Sequence, residues 1–304
     1  MDSSTYAGEV DLGSTLGETV AVSFPAGLRT GRFVIALEIT PPRQVQPTVL
    51  LRRAALLGAH AEAVNVIQRP DRESSLAASL LLRSAGVHPV WHLVNRGRTR
   101  RDIGADLAAA AAGGIAQVLC LRGDHPGADG DDTPLIREVV ARTRDALPDA
   151  LIGATLNQNV PDRAAVLRTL RPKLAAGADY VQTQPVFDVA ALRPYAEQLR
   201  ALSPGTRIVA MAMPLLSANA ARRIATRLGI APPPTLLRRL ESGGSAAGWQ
   251  DFEETIAALV AAPWADGVAI MTYEMDPAAE VGQRIVAALQ AVRAMRAEAG
   301  TERQ

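Results

Sequence analysis

Four short segments, far apart in the chain, each place polar side chains where an apolar run of strand length ends. They occupy residues 37–42, 91–93, 121–124 and 182–188. In a parallel α/β protein the carboxyl ends of the strands lie together, so that side chains from distant segments converge on one ligand. The pattern therefore predicts an enzyme whose active site is assembled from several strand ends.

Glu38 is the candidate for acid chemistry, because it interrupts an otherwise apolar strand over residues 33–38. Burial disfavours the charged form of a carboxyl group and raises its pKa, which suits the group to donate a proton near neutral pH. Pro41 and Pro42 make the loop that follows rigid. The alternative is a structural carboxylate that pairs with an arginine at the rim.

Asp124 and Gln184 are candidates for holding a substrate. Asp124 follows Arg122 and Gly123 at a strand end, and a glycine can adopt the positive φ that turns the chain sharply and directs the aspartate inward. Gln184 carries an amide with both donor and acceptor atoms, which suits the edge of a heterocycle. For Asp124 the alternative is an ordinary turn with Arg122 and Asp124 in solvent.

Composition and charge argue against several classes of protein. The 304 residues carry a net charge of +1, which does not favour binding to nucleic acid or to a membrane surface. Cys120 is the sole cysteine and the four histidines lack metal-ligand spacing, so we expect no disulfide within the chain and no metal site. The first residues do not resemble a signal peptide, and no apolar run reaches the roughly 18 residues of a membrane span. A cytoplasmic protein is expected.

Eight apolar runs of strand length alternate with amphipathic segments of helical length. The predicted strands cover residues 33–38, 61–67, 88–93, 116–121, 151–156, 180–184, 207–211 and 267–272. The predicted helices cover residues 47–58, 73–85, 99–112, 134–147, 161–176, 188–202, 217–228 and 277–297, with one or two extra helices between 232 and 262 that are interrupted at 242–245.

Eight such units in a chain of this length are typical of a (β/α)8 TIM barrel. We expect one catalytic barrel over residues 31–304, preceded by an N-terminal extension over residues 1–30 that packs on it. A doubly wound open sheet is the alternative. Such a sheet normally carries a glycine-rich first turn, whereas here the first strand is followed by Thr40, Pro41 and Pro42.

The ordered polar segments resemble the 5,10-methylenetetrahydrofolate reductase family. The resemblance rests on residues 38–42, 92–93, 121–124 and 173–188, which occur in the family's order, and it extends over about residues 33–298. It implies a (β/α)8 barrel that reduces the methylene bridge of 5,10-methylenetetrahydrofolate to the methyl group of 5-methyltetrahydrofolate. A tetrahydrofolate derivative is then the small-molecule substrate, whereas the sequence does not indicate an oligomeric partner.

The same resemblance assigns roles to single residues of this chain. Glu38 matches the acidic residue that protonates the folate, and Asp124 and Gln184 match residues that hold the pterin. The positions at which the family contacts its flavin are matched by His92, Arg122, Gly123 and Lys173.

Several positions depart from the family's pattern around the flavin. Residues 67–70 and 132–135 lack the tyrosine-containing sequences of the family, and residues 154–159 offer no aromatic side chain to stack on a ring system. Thr169 and Pro172 replace an asparagine and an arginine. Because FAD needs many simultaneous contacts, each worth about 1–3 kcal/mol, we predict that FAD is absent and that NADH, or else NADPH, gives its hydride directly to the folate.

The nicotinamide ring is expected to stack on the pterin, in the space that a flavin would otherwise fill, because hydride transfer requires near contact of the reacting carbons. His92, Asn65 and Asn157 are candidates to line this space. Tyr273 and Glu274 are candidates to close it.

The basic run over residues 96–101 has two interpretations. It could contact the phosphates of a cofactor or a polyglutamate tail, but we favour a solvated basic loop before a helix. For the protein as a whole, three alternatives stay open beside the direct reductase: an FAD-dependent reductase, a deazaflavin-dependent reductase, and a barrel that binds folate without catalysis.

Overall fold

The computed structural model describes residues 23–58, 60–123, 129–271 and 279–301. Within these ranges eight parallel strands follow one another around a closed barrel, and the last strand pairs with the first. Helices alternate with the strands along the chain. The predicted (β/α)8 TIM barrel is therefore confirmed.

The strands are apolar runs whose side chains are nearly all buried on both faces. The inner face fills the barrel and the outer face packs under the helices, as in other parallel sheets. Each predicted strand is found, with bounds shifted by one or two residues at most. They are β1 (Val34–Ile39), β2 (Ala63–Val66), β3 (Pro89–Val94), β4 (Gln117–Leu121), β5 (Leu151–Leu156), β6 (Tyr180–Pro185), β7 (Arg207–Ala212) and β8 (Gly267–Ile270).

Polar N-cap side chains explain where several helices begin. Thr99 and Asp102 form a reciprocal capping box, and Asp162, Asp188 and Ser217 each accept a hydrogen bond from the third residue after them. The helices are α1 (Phe24–Thr30), α2 (Pro47–Gly58), α3 (Ser75–Ser84), α4 (Arg100–Ala112), α5 (Ile136–Ala146), α6 (Arg163–Ala175), α7 (Val189–Leu202), α8 (Ala218–Leu228), α9 (Pro234–Ala261) and α10 (Ala279–Thr301).

Helix α9 contains the interruption that the sequence predicts at residues 242–245. Gly244 has φ 55° and ψ −140°, which lies outside the helical region, so two helical segments meet there at a kink. In the second segment Trp249 and Phe252 pack edge to face, with ring centroids 5.9 Å apart, in the apolar cluster beneath β7 and β8. The expectation of one or two extra helices before the last strand is thus met by two helical segments.

The amino-terminal end of the barrel is filled by apolar side chains. Phe24 and Leu28 of α1 are buried against the lowest inward-facing residues of the strands. Phe24 also meets Tyr180 of β6 edge to face, with ring centroids 5.8 Å apart. Because this end is packed, a ligand has the carboxyl end of the strands as its way into the barrel.

Residues 23–30, the described part of the predicted extension, thus pack on the barrel as expected. The boundary between an extension over 1–30 and a domain over 31–304 stays a prediction. Among the helices that the structure describes, none combines the length and the apolar character required to cross a bilayer.

Candidate active site

Alternate residues of a strand face the barrel interior, and this period of two brings polar side chains to one level. Ala36 of β1 and Ala63 of β2 belong to the apolar layer at the bottom. Two positions further along these strands lie Glu38 and Asn65, which are register partners. Gln182 of β6 reaches the same level from across the barrel, because its side chain bonds to Glu38.

These three side chains form a buried hydrogen-bond network. The amide Nε2 of Gln182 donates to Oε1 of Glu38 over 3.1 Å, and Nδ2 of Asn65 donates to Oε1 of Gln182 over 3.0 Å. Glu38 is 3% exposed, and Asn65 and Gln182 are buried as completely. Within the described part of the chain no arginine pairs with Glu38, so the alternative of an ion pair at the rim is not supported.

The environment of Glu38 favours its protonated form. Burial raises the pKa of this carboxyl from its ordinary value of 4.5 to about 7, although the amide groups of Gln182, which donates to it, and of the neighbouring Asn65 act in the opposite direction. Desolvation therefore outweighs the two amide donors. At neutral pH the carboxyl group is protonated in a substantial fraction of molecules, as a general acid requires.

A cavity of about 760 Å³ opens above this network at the carboxyl ends of the strands. Glu38 lies in its wall together with His92 of β3 and Gln184 of β6. Two methionines, Met211 of β7 and Met271 just after β8, also line it. The loops after β2 and β3 form its outer side. Its volume is in the range of pockets that hold small molecules.

Gln184 lies near the irregular end of β6 and lines this cavity. The register between β6 and β7 shifts between Gln182 and Pro185. The side chain of Gln158 then fixes the backbone of Gln184, because its Oε1 accepts from the Gln184 amide over 3.0 Å and its Nε2 donates to the Gln184 carbonyl over 2.8 Å. The backbone is thereby held while the side chain of Gln184 faces the ligand space.

Gly123 turns the chain after β4 in the way that the sequence predicts. Its φ is +83°, and a Cβ at this position would lie 2.4 Å from Cγ1 of Val94, so a side chain is excluded both by conformation and by space. Gly123 lines the cavity. Asp124, the predicted pterin ligand, lies outside the described residues, and so do Tyr273 and Glu274.

A family model described as methylenetetrahydrofolate reductase matches residues 24–247 of this chain. The chain belongs to the methylenetetrahydrofolate reductase family. The resemblance inferred from the polar segments is thereby confirmed.

Two similar proteins place this reductase-family barrel among its relatives. A probable methylenetetrahydrofolate reductase (NADPH) of Caenorhabditis elegans is 27% identical over 226 residues, which cover 68% of this chain and 34% of the relative. The chain thus spans about a third of the length of that relative. A Clostridium thermocellum protein whose structure is described as binding two copies of 5-methyl-5,6,7,8-tetrahydrofolic acid superposes with a TM-score of 0.65 at 14% identity, covering 86% of this chain and 96% of its own. At this low identity, the similarity between the two chains is one of fold.

Among the positions that match flavin contacts of the reductase family, His92 lies on the cavity wall. It is 4% exposed, and within the described chain its Nε2 has no hydrogen-bond partner. Burial lowers its pKa from 6.5 to about 3, so the ring is neutral at physiological pH. A neutral imidazole with an unsatisfied nitrogen can donate to or accept from a ligand in the cavity.

The other four predicted cofactor residues, apart from Gly123, do not line this cavity. Arg122 is exposed and forms an ion pair with Asp129 over 2.7 Å. Lys173 of α6 donates from Nζ to the carbonyl of Thr155 over 3.0 Å, and Asn157 is exposed and accepts from a backbone amide of its own turn. Each side chain is thus engaged locally, and their predicted ligand contacts stay predictions. Asn65 lies beneath the cavity, where it supports Glu38 through Gln182.

Sequence reasoning missed Gln182 as a functional residue. It lies two positions before Gln184, and a period of two places both on the inner face of β6. The spacing of two residues from Gln184 is the signal that could have identified Gln182.

The expectation of a solvated basic loop over residues 96–101 is wrong for two of its members. Arg96 and Arg98 line the cavity, and Arg98 forms an ion pair with Asp106 over 2.8 Å. The loop turns inward because the backbone amide of Arg96 donates to the carbonyl of Arg122, which continues the pairing of β3 with β4. In the described ranges no cluster of histidine, cysteine or carboxylate side chains could hold a metal ion.

Proposed function

We propose that the protein reduces 5,10-methylenetetrahydrofolate to 5-methyltetrahydrofolate by direct hydride transfer from NADH, with NADPH as the second possibility. The observation that carries the proposal is the buried carboxyl of Glu38, with its pKa raised to about 7, in the wall of a cavity at the carboxyl end of the barrel. Membership of the reductase family supports the substrate class. The C. thermocellum protein indicates that a barrel of this shape accommodates a reduced folate.

Glu38 is the proposed proton donor. Its proton, delivered directly or through a water molecule, goes to N10 of the five-membered ring. The bond between N10 and the methylene carbon then breaks. An iminium cation then remains at N5, and the hydride adds to its exocyclic carbon to give the methyl group. A carboxyl group with a pKa near the working pH gives up a proton readily and recovers it between turnovers.

The pterin is held from two sides in this proposal. The amide of Gln184 faces the cavity and offers a donor and an acceptor to the edge of the ring. Asp124 follows the Gly123 turn and is proposed to bind the aminopyrimidine edge. An anionic side chain there would also stabilise the iminium cation.

Part of the family's set of flavin contacts is missing from this cavity, which supports the proposal that no flavin is bound. Where the family contacts flavin, Arg122 is engaged with Asp129 and Lys173 with a strand carbonyl, and neither lines the cavity. In addition, positions 154–159 offer no aromatic side chain to stack on a flavin. Both observations support hydride transfer without flavin.

The nicotinamide ring is proposed to lie against the pterin near His92. Because the imidazole is neutral, it adds no positive charge that would oppose the developing iminium cation. The methionines at the cavity wall, Met211 and Met271, supply apolar surface that the two flat rings can cover.

NADH oxidation dependent on 5,10-methylenetetrahydrofolate tests this function. We expect turnover by protein that shows no flavin absorbance as purified, and no increase when FAD or a deazaflavin is added. Protein that purifies with stoichiometric FAD, or that turns over only after a flavin is added, would refute the direct transfer. Binding of 5-methyltetrahydrofolate without any turnover would instead support the non-catalytic alternative.

A further inference from the structure

The outer side of the cavity is rich in arginine. Among the described lining residues there are three carboxyl groups and five arginines, namely Arg69, Arg72, Arg96, Arg98 and Arg227. Four of these arginines come from the loops after β2 and β3 and the fifth from the end of α8. The proposed reaction takes place around Glu38 and assigns no role to these arginines.

The nearby carboxylates do not neutralise all of these cations. Asp106 is committed to Arg98, with 2.8 Å between the charged atoms. Asp71 is 59% exposed and lies 3.8 Å from the Nε atoms of both Arg43 and Arg72, which is too long for a hydrogen bond. An exposed pair at this distance contributes little. Among the described residues, these carboxylates therefore give neither Arg72 nor Arg96 a close ionic partner.

Arg72 and Arg96 are both partly buried. The side chain of Arg72 is 8% exposed, and the Nε atoms of Arg72 and Arg96 are buried with no hydrogen-bond partner in the described ranges. A buried donor without an acceptor is unfavourable, and more so when it is charged. A partly buried guanidinium charge without a close counter-ion is also unfavourable, and an anion in the cavity would reduce this second cost through its charge.

Hydrogen bonds hold the loops that carry both arginines. In the loop after β2, the side chain of Gln68 accepts from the amide of Ser75 over 2.9 Å and donates to the carbonyl of Arg69 over 3.1 Å. The hydroxyl of Ser75 then donates to the carbonyl of His92, which joins this loop to β3. Arg96 is fixed through its own amide on the Arg122 carbonyl. Such preorganisation reduces the entropic cost of binding.

We propose that Arg72 and Arg96 form an anion subsite that binds the charged end of one of the two substrates. The ligand is an oxyanion group with several acceptor oxygens, supplied by the diphosphate of the dinucleotide or by the glutamyl carboxylates of the folate. A planar guanidinium group matches either chemistry, because its paired donors reach two oxygens at once. The choice of these two anions rests on the proposed function, because they belong to its two substrates. The subsite adds to that function a way to recognise the charged end of a substrate.

Arg72→Gln and Arg96→Gln test the subsite, with Arg168→Gln as the matched control. Arg168 lies on α6, is 69% exposed and pairs with Asp162 outside the cavity. Dissociation constants would be measured by calorimetry for NADH, for reduced nicotinamide riboside, and for 5-methyltetrahydrofolate with one and with three glutamates. Loss of a charge-assisted bond predicts weaker binding by about ten- to a hundredfold. If Arg72→Gln does not fold, as judged by circular dichroism, Arg96→Gln decides.

The outcome identifies the source of the anion. Weaker binding of NADH, with the riboside unaffected, supports the subsite and assigns it to the diphosphate. Weaker binding of the folate, with a larger effect for three glutamates than for one, supports the subsite and assigns it to the glutamyl tail. Affinities for both substrates that match those of Arg168→Gln would overturn the proposal.

Inorganic pyrophosphate separates this inference from the reaction itself. If the protein neither oxidises NADH nor binds folate, the proposed function fails. The subsite still stands if pyrophosphate raises the thermal midpoint of the wild-type protein and of Arg168→Gln but not that of Arg96→Gln. In that case, a wild-type protein that does not respond to pyrophosphate would show that the arginines do not form an anion site.

Discussion

Gln182 donates a hydrogen bond of 3.1 Å to the carboxyl of Glu38, although 144 positions separate the two residues in the chain. The bond crosses the barrel between β6 and β1, and Asn65 of β2 orients the donating amide from the other side. The carboxyl is therefore buried and held in one place, and burial raises its pKa into the neutral range. This combination is what a positioned proton donor requires.

Replacement of Glu38 by glutamine should remove the proton donor while keeping the shape of the site. We expect turnover to fall by about a hundredfold or more, the usual contribution of general acid catalysis, with the dissociation constant of 5-methyltetrahydrofolate nearly unchanged. Steady-state kinetics and calorimetry measure the two effects. Glu253→Gln, an exposed position on α9, is the control. Wild-type turnover in Glu38→Gln would exclude Glu38 as the acid.

Gln182→Met should shift the pH dependence of the reaction. The Gln182 amide stabilises the Glu38 anion, so its loss raises the pKa of Glu38 further. Because the protonated form is the active one, kcat/KM falls as the pH rises through this pKa. We expect the falling limb to move to higher pH in the variant. Gln250→Met, which removes an exposed bond to Glu254, should leave the limb in place. A limb that does not move, or that moves to lower pH, would contradict the role of Gln182.

The stability of the folded protein should also depend on the charge of Glu38. Its pKa is 4.5 when unfolded and about 7 when folded, so the stability it contributes is complete below the lower value and is lost as the pH rises through the higher one. The loss is on the order of 3 kcal/mol, at about 1.4 kcal/mol for each pKa unit. Glu38→Gln does not titrate. Thermal unfolding should therefore show that the Glu38→Gln variant gains stability relative to the wild type between about pH 5 and pH 8. A difference in stability between the two proteins that stays constant over this range would count against the raised pKa.

Gly123→Ala should disturb the turn that precedes Asp124. The added Cβ would lie 2.4 Å from Cγ1 of Val94 on a backbone with φ +83°. We expect kcat/KM to fall by about tenfold or more, since a displacement of about 1 Å at a site can cost that much. A second substitution, Val94→Ala, removes the atom that clashes and should restore part of the activity. Gly130→Ala is the control, because nothing lies within 4 Å of its added Cβ. Full activity in Gly123→Ala would show that the turn does not position the site.

The sequence predicts the barrel well because its strands are continuous apolar runs that end at polar residues. The same regularity predicts that Glu38 and Gln184 face one interior, since both follow the inward parity of their strands, and both line the cavity. The kink in α9 was also predictable, because Gly244 tolerates a conformation that other residues avoid.

Partners across the barrel could not be predicted from the sequence. Which amide meets Glu38 depends on how β6 and β1 face each other after closure, so Gln182 was overlooked in favour of Gln184. Side chains in loops were equally difficult. Arg96 turns inward because its backbone continues a strand pair. On helix α6, Lys173 is held by a carbonyl of β5 that no local pattern reveals.

The fate of a labelled hydride tests the central claim most directly. NADH carrying deuterium on the transferring face of its nicotinamide ring would be incubated with flavin-free protein and 5,10-methylenetetrahydrofolate, and the product methyl group would be examined by mass spectrometry. Direct transfer predicts one deuterium in the methyl group of every product molecule, in the absence of any flavin. A hydride held on a reduced flavin nitrogen exchanges with water, so a methyl group without deuterium, or no product until FAD is added, would contradict the account.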